Sequence, residues 1–168
     1  MSMTIRPVTV ADLPAVRAAL VETWHATYDG IYGPEKVKDI TTRWHSLVAL
    51  ANQIDPAAAF LLAECDGRVL ASSFAKPEPD PQVVKLFRLY VHPRAQRAGI
   101  GRCLMAATFA PYPGALRHRL EVNPQNAPAI RFYERAGFAK VGEIADEGRS
   151  GGVEAFVFER GCPGGAGP

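Results

Sequence analysis

The chain has 168 residues, 48% of them apolar and 21% charged, with a formal net charge of +2. That length and balance fit one soluble globular domain with a substantial core. The small charge, with arginines spread along the chain, speaks against a nucleic-acid binder. In chain order, residues 3–8 read as a first strand. Thr9-Val10-Ala11-Asp12 has the spacing of a capping box, and Leu13, Val16, Leu20 and Trp24 then recur as a helical face. The segment Asp29-Gly30-Ile31-Tyr32-Gly33 is expected to be a loop that breaks this helix. Pro34 starts a second helix whose face is Val37, Ile40, Trp44, Leu47 and Val48, and Asp55-Pro56 ends it.

The middle of the chain changes period. Ala58 to Glu64 and Arg68 to Ala75 read as two strands joined by an Asp66-Gly67 hairpin turn. Lys76 to Pro81 is a polar, proline-punctuated loop. Val83 to Val91 is an apolar strand that Pro93 stops, because proline has no N–H for a ladder. A helix follows over residues 101–110, with Leu104, Ala107 and Thr108 facing inward, and Leu116 to Asn123 is a fifth strand. Asn126 caps another helix, and Gly137 ends it where a left-handed residue is wanted, so that Phe138 folds back towards Tyr133. Phe138 to Ile144 and Val153 to Arg160 close the sheet around a glycine-rich loop at 146–152, and residues 161–168 read as a flexible Gly/Pro tail. No segment reaches the apolar length of a membrane span, and the first residues lack a signal peptide's apolar core. Cys65, Cys103 and Cys162 are far apart and form no Cys-x-x-Cys pair, which fits reduced thiols in a cytoplasmic protein and no metal site. Cys103, inside the helical pattern, is expected to pack in the core.

The stretch with chemical content is Leu89 to Arg102. A strand runs into a basic loop with glycines at 99 and 101, and a helix opens behind it. The first N–H groups of a helix lack internal partners and carry the positive end of its dipole, so the arrangement is an anion cradle. Gly99 and Gly101 let a phosphate approach the backbone, and Arg94, Arg97 and Arg102 add positive potential. A dinucleotide fingerprint would need a third glycine and a nucleotide P-loop would need Gly-Lys-Ser/Thr; neither is present.

Gln96-Arg97-Ala98-Gly99-Ile100-Gly101 resembles the Gln/Arg-x-x-Gly-x-Gly/Ala signature of the GNAT superfamily of acyl-CoA N-acyltransferases. The preceding Leu89-Tyr90-Val91-His92-Pro93 is a spelling frequent in that family. A second stretch, Asn126 to Phe138, is similar to the family pattern Asn-x-x-Ala-x-x-Phe-Tyr-x-x-x-Gly-Phe at every fixed position. Together the likeness spans residues 4 to 160, and residues 3–160 are expected to form a single acyltransferase domain. The resemblance implies an α/β fold with a mixed, mostly antiparallel sheet of about six to seven strands. It implies a V-shaped splay between the fourth and fifth strands, and four flanking helices.

By the same resemblance the protein transfers an acetyl group from acetyl-CoA to a primary amine, by direct attack in a ternary complex. Gln96, Arg97, Ala98, Gly99, Ile100, Gly101 and Arg102 would bind the coenzyme pyrophosphate. Backbone groups of Leu89, Tyr90 and Val91 would pair with the pantetheine arm, Asn126 would bond to the pantetheine or pyrophosphate arm, and Tyr133 would protonate the departing thiolate. No metal is implied. The general base is less constrained. The fourth strand carries Lys85, Phe87 and Arg88 and no carboxylate, which leaves Glu121 on the fifth strand as the best-placed acid, with His25 and His92 as rivals. His25, Tyr28 and Tyr32 are expected to line the acceptor pocket. A homodimer follows by analogy with the family. The alternative reading is a non-catalytic acyl-CoA-binding sensor or interaction module of the same fold.

Overall fold

The computed structural model describes residues 3–145 and 153–162. Seven strands form one sheet in the order β1-β2-β3-β4-β5-β7-β6. By packing the chain falls into two compact units, Met1–Ala75 with Arg88–Pro111, and Lys76–Phe87 with Tyr112–Pro168. The fourth strand, β4 (Val83–Val91), has the expected bounds and contributes residues to both.

The first unit opens with β1 (Met3–Pro7), β2 (Ala59–Cys65) and β3 (Arg68–Pro77), antiparallel neighbours in that order. Asp66 and Gly67 both take positive φ, +49° and +73°, as a two-residue hairpin of this twist demands. The helix α1 (Leu13–Tyr32) buries Leu13, Val16 and Leu20 against Phe60, Leu62 and Phe74. Its start is fixed by Asp12, which accepts hydrogen bonds from the Thr9 N–H (2.8 Å) and hydroxyl (2.7 Å). Arg6 clamps the same carboxylate to Glu64, which holds the Asp12 acid well below the usual carboxylate range. Residues of the other face, Ala63, Ala71 and Leu104 among them, form a second apolar cluster.

Three expectations for this unit need correcting. Residues 29–32 are not a loop, because α1 continues to Tyr32 and breaks only at Gly33, whose φ is +83°. Glycine at position 30 costs a helix about 1 kcal/mol against alanine, and the stacking of Tyr28 on Tyr32, one turn on, favours continuation (5.7 Å between centroids). The second helix is two helices, α2 (Pro34–Trp44) and α3 (Leu47–Ala51), because the Ser46 hydroxyl accepts from the Ala49 N–H (3.1 Å) and starts a new one. That restart turns Leu47 and Val48 outward and Leu50 inward. Among the described residues there are thus four sizeable helices and one of five residues. Cys103 is exposed, because α4 (Ile100–Phe109) buries the face carrying Leu104, Met105, Thr108 and Phe109.

The second unit holds β5 (Arg117–Val122), α5 (Ala127–Arg135), β6 (Ala139–Ile144) and β7 (Ala155–Gly161). β7 pairs antiparallel with both β5 and β6. β4 and β5 are parallel, in register from Val83↔Arg117 to Leu86↔Leu120, and there the pairing ends although both strands continue. This is the expected splay. The strand β7 extends through Gly161, and the Cys162 N–H donates to Leu116 O (3.0 Å). The 146–152 loop and the rest of the tail lie outside the described residues. No helix among the described residues is long and apolar enough to cross a membrane.

Candidate functional site

The loop after β4 is built from its buried anchors outward. Ala95 and Ile100 sit in the apolar cluster of β2, β3 and α4, against which Leu89 and Val91 also pack. The His92 N–H donates to Leu70 O (2.8 Å), the chain makes a short 3-10 turn over Pro93–Ala95, and the Gln96 side-chain amide donates back to Val91 O (3.1 Å). Between these ties, Gln96, Arg97, Ala98 and Gly99 are exposed. Arg97 and Gly99 both have positive φ, +66° and +77°. A non-glycine residue held there is strained by about 1–3 kcal/mol, a cost that clusters at binding sites, and alternation of left- and right-handed residues turns successive N–H groups into an anion-binding concavity. The sequence marks Arg97 by its charge and gives no sign of its conformation.

Gly99 is the N-cap of α4 and offers no side chain to its amides. The first turn holds no acid, and Arg102 is there instead. A cation near a helix N-terminus is unfavourable by roughly 0.3–1 kcal/mol. A bound phosphate reverses that sign, so residues 96–102 fit the pyrophosphate of a coenzyme.

The second unit brings the other motif together. The Asn126 side chain caps α5, accepting from the Ala129 N–H (3.3 Å). At the far end Gly137 has φ +89°, its N–H donates to Glu134 O and the Phe138 N–H donates to Tyr133 O, both at 3.0 Å. This pair of bonds is the Schellman ending that the Gly-Phe pair implied. Tyr133 is buried between Phe132 and Phe138, with centroids at 5.2 and 5.9 Å. Arg160 secures the same helix end: its Nη1 donates to Ala136 O (2.9 Å) and its guanidinium lies over the Phe138 ring. Beside it, burial and the Arg160 charge push His118 down to about 4. Neither His118 nor Arg160 stands out in the sequence, since nothing in a β5 strand pattern marks a buried histidine.

Glu121 follows the last β4–β5 pair, at the mouth of the splay, and accepts a hydrogen bond from Lys85 Nζ. Lys85 also lies over the exposed Phe87 ring, 4.8 Å from its centroid. The carboxylate is therefore held in place by a cation.

The remaining candidates are all in the first unit. His92 has both ring nitrogens engaged: Nδ1 accepts from the Arg94 N–H (3.3 Å), which leaves Nε2–H to donate to Glu22 (2.8 Å). That leaves no lone pair for a base. His25 Nδ1 faces Asp29 at 2.7 Å, one turn along α1. Tyr28 is buried, tilted against Trp24 (4.4 Å) and stacked on Tyr32. Tyr32 itself is half-buried under Lys36. Among the described residues no group of three or more His, Cys, Asp or Glu is placed to hold a metal.

Residues 17–138 match the model of the acetyltransferase (GNAT) family. The chain is 30% identical over 145 residues to a spermidine N(1)-acetyltransferase of Thermoplasma acidophilum, covering 82% of this chain and 89% of that one. Over 92 residues it is 38% identical to a mycothiol acetyltransferase of Thermomonospora curvata, of which it spans 29%. The fold superposes with a TM-score of 0.82 on the PaiA N-acetyltransferase of Thermoplasma acidophilum in complex with coenzyme A, at 28% identity, covering 96% of this chain and all of that one. With this splayed parallel strand pair and these relatives, the chain belongs to the GNAT family and is an acetyl-CoA-dependent N-acetyltransferase.

Proposed function

We propose that residues 3–160 act as one domain that acetylates a primary amine by direct attack, with acetyl-CoA and acceptor bound together. The observation that carries this is the loop after β4, where left-handed Arg97 and Gly99 lead into an acid-free helix N-terminus. In this reading Gln96 to Arg102 hold the pyrophosphate, and the backbone of Leu89, Tyr90 and Val91 orients the pantetheine arm. Asn126 adds a hydrogen bond to that arm.

The acceptor nitrogen attacks the thioester carbonyl carbon once it has lost a proton to Glu121, which Lys85 keeps fixed. The C–S bond then breaks, the leaving sulfur takes its proton from the Tyr133 phenol, and the phenolate is restored by the proton that the newly acylated nitrogen gives up, carried by water. A thiolate needs that proton as the tetrahedral intermediate collapses, and a positioned acid typically contributes roughly 10²–10⁴-fold. His25, Tyr28 and Tyr32 lie on the last two turns of α1, the wall we assign to the acceptor. The named relative acts on spermidine, a primary amine in a small molecule; peptide amines belong to the same chemical class. The enzyme is read as cytoplasmic, with a homodimer as its assembly.

The test is release of free coenzyme A thiol from acetyl-CoA in the presence of amines in turn: amino acids, linear amines, polyamines and peptides. We expect turnover that depends on one class of amine and gives a stoichiometric N-acetyl product. Tight coenzyme binding without turnover on any amine would instead describe an acyl-CoA-binding module.

A further inference from the structure

Tyr133 is held by the residue that follows its helix. The Phe138 N–H donates to Tyr133 O (3.0 Å), and the Phe138 ring meets the Tyr133 ring edge to face, 5.9 Å between centroids. One residue thus touches both the backbone and the side chain of Tyr133. Phe138 is buried, and Arg160 of β7 covers its ring, with the guanidinium carbon 4.7 Å from the centroid. The same guanidinium donates from Nη1 to Ala136 O (2.9 Å), one of the carbonyls that a helix end leaves without an internal partner. The bonds made by the Gly137 and Phe138 amides stay within the helix end. The bond from Arg160 ties that end to the sheet.

Arg160 is itself aimed from β5. Its cross-strand partner in the β5–β7 register is His118, and the Arg160 Nε–H donates to His118 Nδ1 (3.2 Å). Nδ1 accepts only in the neutral ring, with the proton on Nε2. Burial, with the Arg160 charge beside it, holds the ring neutral at neutral pH.

A guanidinium is planar and its N–H groups leave it in fixed directions, so two bonds to two acceptors fix its plane. One acceptor is on β5 and the other is at the end of α5. A lysine ammonium could carry the charge, but it could not hold both bonds and also lie flat on a ring. Two apolar residues could fill the same cross-strand positions. What they could not supply is direction.

We propose that His118 and Arg160 are positioning residues for the Tyr133 phenol: His118 orients the guanidinium, the guanidinium fixes Phe138 and the end of α5, and these fix the ring. This rests on the reading of Tyr133 as the acid that protonates the leaving sulfur. Such placement matters because a displacement of about 1 Å at a reacting group costs on the order of 10²-fold in rate.

The experiment compares His118→Leu, His118→Asn and Arg160→Lys in the full chain, with acetyl-CoA and the best acceptor amine. An asparagine side-chain oxygen takes the place of Nδ1 and accepts from Arg160, whereas leucine offers no acceptor. We expect His118→Leu and Arg160→Lys each to lower kcat by about tenfold or more at unchanged KM for acetyl-CoA, and His118→Asn to stay within about twofold of the wild type. Beside Tyr133→Phe, adding His118→Leu should change kcat by less than about twofold, because the group it positions has gone. Wild-type kcat in both His118→Leu and Arg160→Lys would overturn the proposal, as would a loss that asparagine does not restore or that persists in full beside Tyr133→Phe. If His118→Leu does not fold, Arg160→Lys carries the comparison. A second readout needs no transfer: the ring signals of carbon-labelled tyrosine by NMR, with those of Tyr133 identified by their loss in Tyr133→Phe. They should shift in His118→Leu and Arg160→Lys and return in His118→Asn. A Tyr133→Phe variant as active as the wild type would fail the reading of the acid alone, and the ring signals then decide the positioning. Signals unmoved in both variants overturn it whatever the kinetics give.

Discussion

Tyr133→Phe is expected to lower kcat by about 10² or more while leaving the dissociation constant for acetyl-CoA unchanged. The substitution removes one oxygen from a ring already buried among aromatic neighbours, so packing changes little. The placement of that ring is determined by the whole of α5. Asn126 caps one end, the Gly137–Phe138 ending closes the other, and Arg160 ties the last carbonyls to β7. None of these bonds uses the phenol oxygen. Transfer should slow because the thiolate must leave unprotonated, whereas the ground-state complex has no proton to lose. Steady-state kinetics beside calorimetric binding separate the two, and an unchanged kcat would remove Tyr133 from the chemistry.

Acid should destabilise the protein well before its carboxylates titrate. His45 and His118 are pushed down to about 3 and about 4, both mainly by burial. In the unfolded chain each returns to the ordinary value of 6.5. Between those limits the unfolded state binds protons that the folded state refuses, so stability rises with pH across the window and falls as pH drops through it. Above pH ~6.5 neither state is protonated there and the effect vanishes. A tenfold change in a protonation equilibrium is worth about 1.4 kcal/mol, so His45 accounts for a loss on the order of 5 kcal/mol and His118 for one on the order of 3 kcal/mol by the bottom of their windows. Urea midpoints measured at steps from neutral pH downward should fall steadily below 6.5. A midpoint that stayed level down to pH ~4 would show that these histidines are not buried neutral.

Local chemistry made much of the architecture legible. The bounds of β4 follow from an apolar run that ends at a proline, the β2–β3 hairpin from Asp66-Gly67, and α5 from an asparagine cap at one end and Gly137 at the other. In each case a single residue type has few backbone alternatives. What failed depended on tertiary context. Gly30 reads as a breaker, yet Tyr28 and Tyr32 are stacked across it. Ser46 looks like one more polar residue on a helix, yet its hydroxyl starts a new one and rotates Leu47 and Val48 into solvent. Cys103 reads as inward because a periodic pattern gives a face only after its phase is known, and the phase is set by Leu104 and Thr108 against their neighbours.

The candidate site divides the same way. Gly99, Asn126 and Tyr133 sit in spaced motifs and can be named from the chain alone. His118 and Arg160 cannot, since a histidine and an arginine in strands are ordinarily solvated. Only the packing of Arg160 over Phe138, its bond to the Ala136 carbonyl and its bond to His118 bring them to the end of α5. Lys85 and Glu121 are each visible in the sequence; their pairing across the end of the β4–β5 register is not.

The central claim is that the loop between β4 and α4 holds the coenzyme. It is tested most directly by calorimetric titration of the wild-type chain and of Gly99→Val with acetyl-CoA. Position 99 has φ +77° and open space around an added Cβ, so valine strains the loop backbone without colliding with the fold. Micromolar binding in the wild type, lost in a variant with an unchanged melting profile, is the result predicted. Equal binding in both, or none in either, would contradict it.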